Sequence, residues 1–182
     1  MRRIPISVLF ALAVTFAVPT AQAQQSEPDR NRTREQLGQL LEKVGPSLNL
    51  TFRPSEKQPF AFAALLKAGL THAESFEVAI LATQNQTIAF RIFPRYKNAY
   101  INIDKVKNAP GLMRLLLRLS DSAFLFWGVD PSGDIFTGYT FTLESGFPEE
   151  SIKVVLRSIV NSDKFIGEMK PMIDGSSTPG KQ

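Results

Sequence analysis

Residues 123–143 read AFLFWGVDPSGDIFTGYTFTL, and this stretch decides the fold class. Residues 123–129 are apolar on both faces of an extended chain, with Phe124, Leu125, Phe126 and Trp127 in succession. That predicts a strand that is central or covered twice. Asp130-Pro131-Ser132-Gly133 places Asp, Pro and Gly at the first, second and fourth positions of a type I turn. Beyond it Ile135, Thr137, Tyr139, Phe141 and Leu143 fall on one face, while Phe136, Gly138, Thr140 and Thr142 fall on the other. Two such runs across a tight turn form a hairpin, and hairpins pair antiparallel.

Working toward the N-terminus, residues 112–119 carry Leu112, Leu115, Leu116 and Leu119 at helical spacing, with Arg114 and Arg118 one turn apart on the outer side. Three more strands are expected before that helix. Phe76, Val78 and Ile80 alternate in residues 76–82, and Gln84-Asn85-Gln86 reads as a hairpin turn. Ile88, Phe90 and Ile92 alternate next, a second turn is expected over 94–98, and Ala99, Ile101 and Ile103 follow. Residues 60–68 are apolar and alanine-rich and end at Gly69, which predicts a short helix, although a buried strand would read similarly. The first helix is expected to open on a Thr33/Gln36 capping box and to end at Gly45-Pro46.

Working toward the C-terminus, Pro148 with Glu149 and Glu150 opens a last helical region with Ile152, Val155, Leu156 and Ile159 inward. Asn161-Ser162-Asp163 is expected to interrupt it. The expected order is α-(α)-βββ-α-ββ-α: an α+β fold with a mainly antiparallel five-stranded sheet and helices packed on one face.

The ends read differently. Arg2 and Arg3, the uncharged apolar run over 4–18, and Ala21-Gln22-Ala23 have the three parts of a cleavable secretory signal over 1–23. The 15-residue run falls short of the roughly 20 that a membrane span needs. A flexible lead-in over 24–32, one domain over 33–173 and a disordered tail over 174–182 are expected to follow. These features predict a periplasmic or secreted protein that does not span the membrane after cleavage.

Composition narrows the chemistry. The whole chain has 21 basic and 17 acidic residues; the leader takes two arginines with it, so the mature excess is only two positive charges. That gives nucleic-acid binding no support. There is no cysteine, hence no disulfide, thiolate nucleophile or lipid-modified cysteine. His72, the one histidine, lies near Glu74 and Glu77, but it has no second imidazole for zinc and no elbow-type serine motif. Asp130, Ser132 and Asp134 begin like a calcium loop, yet Ile135 replaces the required glycine and Phe141 the final glutamate. No phosphate-cradling glycine loop is present. No catalytic, cofactor or metal site is expected; Phe10 and Phe16 lie in the leader's apolar run, and the other phenylalanines read mostly as core.

Charge layout is the remaining signal. Arg91, Arg95, Lys97, Lys105, Lys107, Arg114 and Arg118 are interrupted only by Asp104, whereas Asp130, Asp134, Glu144, Glu149 and Glu150 follow with no base among them. Either this is ordinary surface solvation or it steers a charged partner or complementary self-association.

The strand pair over 76–93, the helix 112–120 leading into AFLFWGVD, Gly133-Asp134-Ile135, the strand end over 140–146 and Pro148-Glu149-Glu150-Ser151 together resemble a YbjN-type domain. That family comprises bacterial sensory transduction regulators with a fold similar to type III secretion chaperones. The leader and the extra N-terminal helix depart from its pattern. The resemblance implies a non-enzymatic protein-binding module, often dimeric, with no catalytic residues. Its partner would be another protein or a second copy, and the basic segment would favour an acidic partner or anionic envelope surface. The helix-free sheet face is the expected contact surface, with Arg91, Tyr100, Thr140 and Thr142 on it. A cystatin- or NTF2-like helix-on-sheet fold is the rival, which would favour a small-ligand pocket or a hydrolase.

Overall fold

The computed structural model describes residues 26–175. The expected leader and residues 176–182 of the tail lie outside the described residues. Helix α1 (Glu27–Val44) opens the fold, followed by strands β1 (Arg53–Pro54), β2 (Ala61–Leu66), β3 (Ser75–Ala82), β4 (Thr87–Tyr96) and β5 (Ala99–Tyr100). Helix α2 (Ala109–Ser122), strands β6 (Phe126–Val129) and β7 (Ile135–Thr142), and helices α3 (Glu149–Ser158) and α4 (Asp163–Asp174) complete it. The strands form one antiparallel seven-stranded sheet in the order β1-β2-β3-β4-β7-β6, with β5 hydrogen-bonded to β4 off that path. No helix among the described residues is long and apolar enough to cross a membrane.

Strand alternation separates the two faces. Phe76, Val78 and Ile80 of β3, Ile88, Phe90 and Ile92 of β4, and Trp127 and Ile135 point into one core. Leu37, Leu40 and Leu41 of α1 join them, with Leu112, Leu115, Leu116 and Leu119 of α2 and Ile152, Val155, Ile166 and Met169 of α3 and α4. All four helices therefore cover the same side of the sheet. The α+β class, the antiparallel pairing and the one-sided helical layer agree with the sequence reading.

Five details differ from it. First, α1 starts six residues before Thr33, because the Ser26 side chain caps Asp29 N–H and Pro28 sits in the first turn, where a missing N–H costs nothing. Much of the expected lead-in is thus helical, and Thr33 instead donates its hydroxyl hydrogen to Asp29 O at 3.1 Å. Second, the expected helix over 60–68 is β2, which raises the strand count beyond five. Its two faces differ in burial rather than polarity, with Phe62 and Leu66 buried while Ala63 and Leu65 are exposed. Third, the apolar strand is at an edge, not central. Only Phe126–Val129 is strand, and α2 covers its outer side: Ser120 Oγ accepts from Trp127 N–H at 2.8 Å and donates to Trp127 O at 3.0 Å. That cover explains an apolar edge strand, since an uncovered one would invite pairing with other chains.

Fourth, β4 runs through Pro94 to a turn at Lys97 and Asn98, both with positive φ. Arg95 O accepts from Glu74 N–H on the β3 side, so Pro94 N faces the gap between the last β7 pair, at Ile92, and the first β5 pair, at Arg95. No ladder needs the missing N–H there. Fifth, Asp174, assigned to the tail, ends α4. The interruption near Ser162 is present as a 3-10 turn, Ile159–Ser162.

Candidate functional site

The side of the sheet without helices presents a grid of side chains fixed by register. One row across the strands is Arg53, Ala63, Ala79, Arg91, Gly138 and Phe126. Beside it runs a bulkier row of Leu65, Glu77 and Phe93, extended by Phe136, whose ring centroid is 5.8 Å from that of Phe93. On the other flank lie Ala61, Leu81, Ala89 and Thr140. The small side chains make a trough across the strands. Its β1–β3 end is a groove of about 640 Å³ bordered by Arg53, Ala63, Leu65, Glu77, Phe93 and Tyr100, among others.

Aromatic rings fill the β6–β7 end. Phe136 is only 6% exposed although it lies outside the main core. Phe126 meets it edge-on at 5.9 Å, and the Arg91 guanidinium lies 4.4 Å from its ring centroid. Two glycines make this packing possible. A Cβ on Gly128 would stand 2.9 Å from the Phe136 ring, and one on Gly138 would stand 2.4 Å from Phe90 O. Leu65, Tyr100 and Phe126 remain 43%, 39% and 39% exposed, so the face keeps apolar surface in water.

The face carries one carboxylate within the trough's border, and it is engaged. Glu77 Oε1 accepts from Arg95 at 2.9 Å, and Glu77 Oε2 accepts from the Tyr100 hydroxyl. Burial, and then the hydrogen bond to Glu77, push the Tyr100 phenol up to about 12. Among the described residues, Arg53 and Arg91, in contrast, make no ion pair.

The residues singled out from sequence divide three ways. Arg91, Arg95, Tyr100, Thr140 and Thr142 lie on the helix-free face, as β4, β5 and β7 registers require. Lys97 sits at the hairpin tip, where its Nζ is 2.6 Å from Asp174 Oδ1, and that hydrogen bond raises the Lys97 pKa and lowers that of Asp174. Arg114 and Arg118 are exposed on the outer side of α2, across the molecule from the open face. The basic run in sequence is thus not one patch. The acidic run is partly engaged: Glu149 and Glu150 both pair with Lys153 at 2.7 Å, and Asp130 accepts backbone N–H groups of Ser132 and Asp134 in its turn.

His72 packs against Gly167 of α4, and its neighbouring carboxylates bond elsewhere, Glu74 to Asn98 N–H at 2.7 Å. Among the described residues there is no group of three or more metal-ligating side chains. Sequence reading missed Arg53, Ala63, Ala79, Phe93, Phe126 and Phe136 as parts of one surface. All six residues of β2 are apolar, so no polar alternation in the sequence sets Ala61, Ala63 and Leu65 apart from Phe62, Ala64 and Leu66, and only the pairing with β3 fixes the two faces. No protein-family model matches the chain, and no curated protein is significantly similar to it.

Proposed function

We propose that this is an exported, non-enzymatic binding module of the bacterial envelope, similar to YbjN-type chaperone-like domains, and that its helix-free sheet face receives another protein or a second copy. One observation carries the reading: one side of the sheet has four helices over it, and the other is left open with Leu65, Tyr100 and Phe126 exposed. A sheet normally buries both faces or presents a polar outer one, so apolar residues around a trough mark a contact surface. The leader over 1–23 supports export. The small-ligand or hydrolase reading finds less support. The groove is open to solvent along its length, while small-molecule sites bury most of their ligand, and its one carboxylate is tied to Arg95 and Tyr100.

The test uses envelope extract of the native host and native electrophoresis of the tagged chain. Ala79→Tyr fills the trough, and Arg114→Glu with Arg118→Glu alters the helical side. The reading predicts a complex larger than the monomer that Ala79→Tyr abolishes and the helix variant keeps. A monomer throughout, or a complex lost only with the helix variant, contradicts it.

A further inference from the structure

We infer that the trough recognises an acidic, extended segment of a partner protein, with Arg53 and Arg91 as its two anion-binding points; this rests on the open face being a docking surface. Register places the two arginines in one row with Ala63 and Ala79 between them. Three inter-strand steps of about 4.8 Å separate their backbones by roughly 14 Å. Both side chains are exposed and neither has an ion-pair partner among the described residues, whereas the third arginine of the face, Arg95, is neutralised by Glu77. The face therefore carries two uncompensated positive charges, so the complementary occupant carries two negative ones.

The floor fixes what lies between those charges. Ala63 and Ala79 project one carbon each, and the flanking rows are bulkier at Leu65 and Phe93 on one side and Leu81 on the other. A chain running along the row from Arg53 meets only those two methyl groups before Arg91 and the Phe136 ring beneath it. An extended segment rises about 3.4 Å per residue, so carboxylates four positions apart match the arginine separation. Arginine suits this role because its planar fork can hold a carboxylate with two hydrogen bonds while stacking on an aromatic ring. Arg91 already stacks on Phe136, which holds its guanidinium at the trough. A lipid surface fits less well, since a flat array of headgroups would not follow a recess between two ridges.

The test uses fluorescent synthetic peptides and the full mature chain. One peptide has glutamates four positions apart with small apolar residues between them; a second has the same composition with glutamates two apart; anionic phospholipid vesicles are a third probe. Anisotropy is read at low and physiological salt. The four-apart peptide is expected to bind at least tenfold tighter than the two-apart peptide, and to weaken with salt. Arg53→Gln with Arg91→Gln should remove at least tenfold of that affinity, and Arg53→Lys with Arg91→Lys should restore part of it. Circular dichroism melts confirm that the variants fold. Equal binding of both peptides, unchanged binding by the glutamine pair, or binding of vesicles alone overturns the inference. If the native complex survives the glutamine pair yet is lost with Ala79→Tyr, the docking face stands and the acidic partner falls.

Discussion

Two side chains hold more of this molecule than their positions in sequence suggest. The Asp163 carboxylate is buried and accepts three backbone N–H groups: Thr71 at 2.7 Å, His72 at 3.0 Å and Ala73 at 2.7 Å. It pins the loop before β3 to the start of α4. Asp163→Asn keeps the shape but turns an amide N–H₂ toward those donors, so a loss of about 3 kcal/mol is expected in urea unfolding. A loss below about 0.5 kcal/mol would mean the loop is held by other contacts. Tyr100 makes the second case, on the open face. Its phenol is pushed up to about 12, so the neutral form is the one the fold prefers. The associated stability is complete below the unfolded value of about 10 and disappears as pH rises through about 12. Absorbance titration of tyrosinate should show a late component that Tyr100→Phe deletes and Glu77→Gln moves to lower pH. A titration in which all tyrosines ionise together near 10 contradicts the Tyr100–Glu77 contact.

Elements with strong periodicity could be read directly, and those whose signal is contextual could not. The leucine spacing of α2 and the alternation of β3, β4 and β7 name their own faces, and with them the placement of Arg91, Thr140 and Thr142. Segment 60–68 could not be read, because its alanines favour a helix by intrinsic propensity and only the pairing with β3 overrides that preference. Misreading β2 hid Ala63 and the link to Arg53, and with them the trough. The charge run misled for a related reason: the partners of Arg95 and Lys97 lie 18 and 77 residues away in sequence. The edge strand β6 offers its own test. Ser120 Oγ accepts from Trp127 N–H and shares its one hydrogen between Trp127 O and Leu116 O, so Ser120→Ala should cost about 1–2 kcal/mol and leave the Trp127 N–H unpaired at the edge. Light scattering should then show more self-association than the parent chain. Unchanged stability and size would mean that α2 shields the edge without that hydroxyl.

At the scale of the whole molecule, the layers are unequal. Four helices press on one side of an antiparallel sheet, and the opposite side combines a trough of small residues, an aromatic cluster cushioned by Gly128 and Gly138, and two arginines with no ion-pair partner among the described residues. The export signal expected over 1–23 would place that surface outside the cytoplasm, and its proposed partner would then be an envelope protein. The central claim is that this face, and not the helical one, makes the functional contact. Photo-cross-linking in living cells of the native host addresses it most directly, with a photoreactive residue at Leu65, exposed on the trough's rim, in one strain and at Leu117, exposed on α2, in another. A discrete protein adduct is expected from Leu65 and none from Leu117. Adducts from Leu117 alone, or from neither position in a chain that folds and is exported, would contradict it.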